Sequence, residues 1–340
     1  MSCINDNFIS RFFVTVIGWF YSLTGSYLVS VILFTLLIKL LLLPLDLKQR
    51  KAMAKQTALS AKVQEIQKRY KNDPRLAQQK VQEYYKKSGV KMSSGCLPLL
   101  LQMPVLFAMF GAITILSNTE TVKLVAGLAN GQNILPPTAL WVHNLWRPDT
   151  GTAAIMPSPS EFATILSQSM SKLPTDILAQ AQATLTNAQI NQLALTSAKL
   201  PAGSFFAGMV NSSLATIPAG TVTAAVSSNY TTAIAPVLAQ YAGLNNGYFI
   251  FPILAGVSSF FVSHMQKKQA ERTNSGQANG MGGMQYIMPI FSIWWTSTTG
   301  VCFAIYWVVS NLFSIAQVPL LDWIAKRELA KESQKALNAK

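Results

Sequence analysis

Apolar and polar positions segregate along this chain into long blocks rather than alternating within short ones. From Leu28 to Leu45 the sequence runs LVSVILFTLLIKLLLLPL, eighteen residues carrying one charge. At 1.5 Å per residue that is roughly 27 Å of helix, close to the thickness of a hydrocarbon core. Leu97–Leu116 is uncharged and contains Pro98, Gln102 and Pro104. Tyr248–Val262 is a third apolar run; Met284–Thr296 and Val301–Leu321 follow, separated by the polar STTG of Ser297–Gly300, which reads as a tight hairpin. The pattern predicts an all-α membrane protein with five transmembrane helices. A further piece, Phe12–Leu23, is apolar for about a dozen residues, near 18 Å of helix and too short to span. Its Phe, Trp and Tyr content suits a helix lying in the interface, with a sixth, weakly apolar span as the competing reading.

Between the first two runs, Lys48–Lys91 is rich in Lys, Gln, Ala and Glu, all good helix formers. Asp73–Pro74 is a natural break with Pro74 opening a second helix. Met53, Leu59, Val63 and Ile66 share one side of the first arm; Leu76, Val81, Tyr84 and Tyr85 recur on the second. A helical hairpin with a weak apolar seam and a basic exterior follows. Residues 148–246 form a polar, low-charge insertion rich in Ala, Thr, Ser, Asn and Gln. The stretch after Pro174 reads as helical and the remainder, including the AGT and SSNYTT runs, as irregular or loosely packed; Leu200–Met265 holds no formal charge. The expected organisation is therefore an N-terminal segment 1–27, two spans with their hairpin over 28–147, the insertion 148–246, three spans over 247–323 and a basic tail 324–340.

Charge fixes the expected orientation. The chain carries 27 Lys and Arg against 13 Asp and Glu in 340 residues, a net +14, with only 12% charged residues. Lys48–Lys91 holds thirteen cations and three acids, His264–Gly283 three and one, and the tail from Asp322 five and three. Ser117–Gly247 balances four cations with four acids. Five spans put all three basic segments on one side, so the positive-inside rule makes the hairpin, the short loop and the C-terminus cytoplasmic, and the N-terminus and residues 118–246 extracytoplasmic. The hairpin surface of Lys48, Arg50, Lys51, Lys55, Lys68, Arg69, Lys86 and Lys87 suits anionic lipid, or ribosomal RNA and nascent chains; charge alone does not separate them.

One residue breaks the first run. A cation at the depth of Lys39 costs about 2.5–3.5 kcal/mol on insertion scales and normally faces water or a partner inside the membrane; snorkelling to the near surface is the bland alternative. Gln102, between two prolines, either lines a polar site or satisfies freed backbone groups. Trp307 and Tyr306 are packing, interface or site aromatics. Cys3, Cys96 and Cys302 have no metal or redox spacing, and His143 and His264 are isolated, so neither a metal nor a cofactor is expected. Arg11 ahead of aromatics, and Cys3 without an apolar run before it, give no signal-peptide or lipoprotein pattern.

Several of these stretches resemble the YidC/Oxa/Alb family of membrane protein insertases. They are LPLLLQMPVLFAMF at Leu97–Phe110 after SGC at Ser94–Cys96, ALWVHNL at Ala139–Leu145, YFIFPILAGVSSFFVSHM at Tyr248–Met265, MQYIMPIF at Met284–Phe291 and AIYWVVSNLFSIAQ at Ala304–Gln317. The resemblance covers about residues 8–147 and 246–330 and leaves the insertion without a counterpart. It implies a five-helix bundle around a hydrophilic groove open to cytoplasm and lipid, acting on nascent membrane proteins beside the ribosome, alone or with the Sec translocon, in a bacterial plasma membrane. It implies no catalysis. The family's groove cation is usually arginine and the matching position here is Lys39. Thr35, one turn earlier, and Trp307 match positions that meet substrate, and a groove glutamine falls on Ser263. Lysine keeps the charge but loses the bidentate fork.

Two other classes compete. A transporter is disfavoured by the absence of repeated halves. A membrane enzyme is disfavoured because the five runs contain no Asp or Glu for acid–base chemistry.

Overall fold

The computed structural model describes residues 8–89, 97–169, 224–273 and 277–338. Among them all regular structure is helical, apart from one isolated bridge between Ala139 and Val142. In chain order the helices are α1 Phe8–Thr24, α2 Tyr27–Arg69, α3 Pro74–Lys87, α4 Leu97–Ala129, α5 Pro159–Ser169, α6 Ala224–Gln240, α7 Ile250–Thr273, α8 Gln277–Thr298 and α9 Val301–Asn338. Three of them, α2, α4 from Gln102 and α9 to Lys331, are long and apolar enough to cross a membrane. The protein is thus a multi-pass membrane protein.

Element boundaries differ from the sequence reading in several places. The first apolar run and the first hairpin arm are one 43-residue helix, with no break at Lys48. Pro44 lies inside it and removes a single backbone donor, while the Lys-, Gln- and Ala-rich sequence that follows carries the helix on. The tail is likewise the continuation of α9, a 38-residue helix. The short loop expected at His264–Gly283 is largely the end of α7 and the start of α8. Finally, α1 runs 17 residues rather than a dozen, because its first turn is anchored: Ser10 Oγ donates to the Ala108 carbonyl at 3.0 Å.

The chain divides into two compact units. The first contains the described parts of Met1–Ile32, Val105–Pro252 and Trp295–Ile305. Here α4 continues thirteen residues beyond Leu116, because Val122 and Val125 are wholly buried against α5 and α6 with Phe162, Tyr230, Ile234 and Val237. The SSNYTT stretch expected to be irregular is part of helix α6, and Tyr230, Ile234 and Val237, at i, i+4 and i+7, make its buried face. Tyr230 stacks on Phe162 at 4.7 Å and donates to the Pro157 carbonyl at 2.7 Å. Arg147 pairs with Glu161 at 3.2 Å. Burial pushes the Glu161 carboxyl up, but the Ser158 N–H and Arg147 outweigh it and hold it below the ordinary carboxylate range. The helix expected after Pro174 and the SGC of Ser94–Cys96 lie outside the described residues.

A buried carboxylate sets the start of α7. Asp149 is fully buried and accepts from the backbone N–H of Tyr248, Phe249 and Phe251 at 2.7, 3.0 and 2.7 Å, and from Trp141 Nε1 at 3.2 Å. It answers the orphan donors of a helix N-terminus from a hundred residues away, and the local dipole favours its charge. Gly247 sits at φ +98, and a Cβ there would meet Asp149 Oδ1 at 2.0 Å, so only glycine allows the approach.

The second unit contains Leu33–Pro104, Ile253–Trp294 and the described part of Tyr306–Lys340. The end of α2 and the whole of α3 pack together in this unit. Asp73 caps α3 by accepting from Leu76 N at 3.0 Å, Pro74 opens it, and Val63, Val81 and Tyr85 form the buried seam with Leu59, Ile66 and Tyr84 beside them. A ladder of polar contacts joins α2 to α9: Lys39 to Ser314, Asp46 to Gln317, Arg50 to Asp322 and Lys51 to Glu328. Both numbers rise together, so the two helices run parallel.

Candidate functional site

Two turns of α9, from Tyr306 to Ser314, touch three other helices of the second unit. Tyr306 faces α4, where Gln102 Nε2 donates to its hydroxyl at 3.5 Å, the limit of a hydrogen bond. Trp307 and Asn311, one turn apart, face α7. Ser314, three residues on, faces α2 at Lys39. Helical spacing alone brings these contributions onto one element.

The contacts with α7 form a closed circuit whose proton directions follow from counting lone pairs. Ser259 Oγ accepts from Trp307 Nε1 and Asn311 Nδ2, both at 2.9 Å, which fills its two acceptor positions. Its own proton therefore goes to Ser292 Oγ of α8, 2.7 Å away, and Ser292 donates in turn to the Met288 carbonyl at 2.7 Å. Asn311 also reaches Ser258 Oγ at 3.1 Å, which donates to the Ala255 carbonyl. The network ties α7, α8 and α9 together. It also engages the Trp307 N–H, so any contact this residue makes with a further molecule is through its ring.

Lys39 is different. Its residue is 9% exposed, and among the described residues its ammonium makes one hydrogen bond, to Ser314 Oγ at 3.0 Å, and no ion pair. Ser314 gives its own proton to the Ser310 carbonyl at 2.9 Å, so it serves Lys39 only as an acceptor. An ammonium has three donors, and a buried cation with one neutral partner lacks the compensation that burial of charge demands. Asp46, two turns further along α2, is engaged by Gln317 Nε2 at 2.6 Å. Thr35, one turn before Lys39 on the same face, is 1% exposed.

Of the expected groove residues, Thr35 and Lys39 share a face of α2, and Gln102 and Trp307 connect through adjacent residues of α9. Ser263 is buried one turn beyond Ser259 on α7. The sequence reading missed Ser259, Ser292, Asn311 and Ser314, which make most of the polar contacts here. Of the expected basic surface, Lys48, Lys55, Lys68, Arg69, Lys86 and Lys87 are exposed. Arg50 and Lys51 instead turn toward α9, to Asp322 at 3.4 Å and to Glu328, and Arg50 also bonds Gln269 of α7. Lys87 and Lys80 hold Glu83 at 2.9 and 3.1 Å, which lowers its carboxyl to about 2.

The sequence matches the family described as 60Kd inner membrane protein over residues 19–235 and 221–328. The first stretch runs through residues 148–235, which the sequence reading left without a counterpart. Among similar proteins is the membrane protein insertase YidC of Clostridium perfringens, 36% identical over 147 residues, 43% of this chain and 55% of that protein. The YidC of Chlamydia trachomatis is 37% identical over 148 residues, 44% of this chain and 17% of that protein. That of Clostridium tetani is 33% identical over 170 residues, 49% of this chain and 70% of that protein. The chain thus aligns with about half, or much less, of the length of the first two.

Proposed function

The chain belongs to the 60Kd inner membrane protein family, that of the YidC insertases, and from this membership we propose that it inserts nascent membrane proteins through a polar groove built around Lys39. Five helices, α2, α4, α7, α8 and α9, cross the membrane in this reading. The parallel course of α2 and α9 calls for an odd number of crossings, a condition that five spans meet. The positive-inside rule places the hairpin and the end of α9 in the cytoplasm, and the N-terminus and residues 118–246 outside, in a bacterial plasma membrane.

The observation that carries the proposal is the unspent hydrogen-bonding capacity of Lys39. A polar or acidic tail of an incoming protein offers the acceptors its ammonium lacks, which lowers the cost of drawing that tail partway across the bilayer. Thr35 and the ring of Trp307 line the same path, with Gln102 and Ser263 as further polar lining. The client's apolar segment then leaves into lipid, and its transfer into hydrocarbon supplies the driving force. No nucleotide or cofactor is required. The exposed lysines and arginines of the hairpin meet the ribosome or anionic lipid, and the Sec translocon is a further partner.

Site-specific photo-crosslinking tests this. Probes at Thr35 and Trp307 are presented with ribosome-bound nascent chains of a single-span protein bearing a short acidic external tail. Crosslinks at both positions that vanish in Lys39→Glu support the groove; their absence in a folded, membrane-embedded protein refutes it.

A further inference from the structure

Four serines of the second unit differ in where they send their protons. Ser258, Ser292 and Ser314 each donate to a backbone carbonyl of their own helix, the ordinary course for a serine in a helix. Ser259 does not. Its proton crosses from α7 to Ser292 Oγ on α8, because the Ser292 proton is already committed. Both lone pairs of Ser259 are then open to the Trp307 and Asn311 donors of α9. We propose that Ser259 is a positioning residue for insertion: it turns the Trp307 indole N–H inward, so that the ring meets clients as a purely apolar surface. This role rests on the reading of Trp307 as a client contact, and it says which part of the client arrives there.

The geometry explains how one serine sets the ring. The outer torsion of a tryptophan is broad and does not by itself choose an orientation. A bond of 2.9 Å from Nε1 to a fixed oxygen supplies the choice. That oxygen is fixed because three bonds converge on it, two accepted from α9 at 2.9 Å and one donated to α8 at 2.7 Å. Ser259 is 5% exposed and Ser292 is fully buried, so water does not compete for these positions. With its N–H held there, the indole of the half-buried Trp307 has only carbon left to offer a further molecule.

The consequence is a division of labour along α9. Two turns beyond Trp307, where Ser314 meets Lys39, the cation receives the polar tail of a client. Trp307 has no donor to spare and receives the apolar segment. Without Ser259 the indole donor is orphaned, and the orientation that satisfied it loses its advantage. One neutral hydrogen bond favours that orientation by about fivefold.

The purified full-length protein in proteoliposomes tests this, by protease protection of a single-span client. Two changes remove the same bond from opposite ends: Ser259→Ala, and replacement of Trp307 by benzothienylalanine, in which sulfur stands in for the indole N–H. Each is expected to lower insertion about fivefold, equally for external tails carrying two glutamates or two glutamines. Together they are expected to cost no more than Ser259→Ala alone. The benzothienylalanine protein keeps the bonds of Ser259 to Ser292 and Asn311, so it decides the matter even if Ser259→Ala does not fold. Full insertion by that protein, losses that multiply, or a loss confined to the glutamate tail overturns the proposal. Trp307→Ala separates this from the client-contact reading. If it too inserts normally, that reading falls with the proposal; if it is defective while the benzothienylalanine protein is not, the proposal falls alone.

Discussion

Replacing Lys39 by methionine removes the ammonium and keeps most of the side chain's length and apolar stem. The structure sets the size of the effect. Of three N–H donors one is taken by Ser314, so two remain for a client. A hydrogen bond to a charged group contributes about 1.5–3 kcal/mol net, so two give about 3 kcal/mol at the lower end appropriate to a wetted groove. At 1.4 kcal/mol per factor of ten, that is roughly a 100-fold preference for a tail that supplies carboxylates. The assay is protease protection of a single-span client in proteoliposomes holding the purified protein, with two glutamates or two glutamines in its short external tail. Lys39→Met is expected to reduce insertion of the glutamate tail by up to that factor, or to the unassisted background, while the glutamine tail changes much less. Lys39→Arg retains both. Equal loss for the two tails, or none for either, would refute an electrostatic role for Lys39 and leave it a packing residue.

Other consequences are as specific. Asp149→Ala orphans three backbone donors and the Trp141 indole; at about 1–3 kcal/mol per orphaned group the protein loses several kcal/mol, and an unchanged thermal midpoint in detergent contradicts the capping role. Gly256→Leu drives a side chain into Ile293, whose Cγ1 lies 2.4 Å from a Cβ built there, at a cost of about 1–3 kcal/mol. Ile293→Ala in the same chain recovers part of that loss, and strictly additive losses rule the contact out. Glu83, with its carboxyl lowered from 4.5 to about 2, favours the folded hairpin above the usual carboxylate range, and this contribution disappears as pH falls through about 2. An NMR titration of the Glu83 carboxyl is expected to give that low midpoint in the native chain and a value returning toward 4.5 when Lys80 and Lys87 are both replaced by methionine; an ordinary midpoint in the native chain contradicts it.

The three long apolar helices, the start of α3 and its contact with α2 were legible because each follows from a local signal. Asp73–Pro74 specifies a cap, and Val63, Val81 and Tyr85 fall at helical spacing. Element ends were not legible where charge changes but helix propensity does not. At Lys48 and at Asp322 the sequence switches from apolar to basic, a change of solvent rather than of conformation, and the helix continues. α6 was hidden because Ser and Thr favour caps and turns over helix interiors; its signal was Tyr230, Ile234 and Val237. Lys39 announced itself as a lone charge, whereas its partner Ser314 did not. A serine in an apolar helix ordinarily bonds its own backbone, and Ser314 does so while also accepting from Lys39. Asp149 derives its significance from partners about a hundred residues away, which spacing does not encode.

The ladder between α2 and α9 also works as a vernier. Were α9 to slip by one turn, Ser310 would replace Ser314 beside Lys39, an exchange of like for like that the cation would scarcely register. The same slip would set Phe313 against Asp46 and Val318 against Arg50, stripping both of their present partners on α9. The coarse mark, at the cation, is tolerant; the fine marks, nearer the basic end, are not. Lys39 is thus held at its level by charges that lie two and three turns away, so the register of this buried cation is set by residues it does not touch.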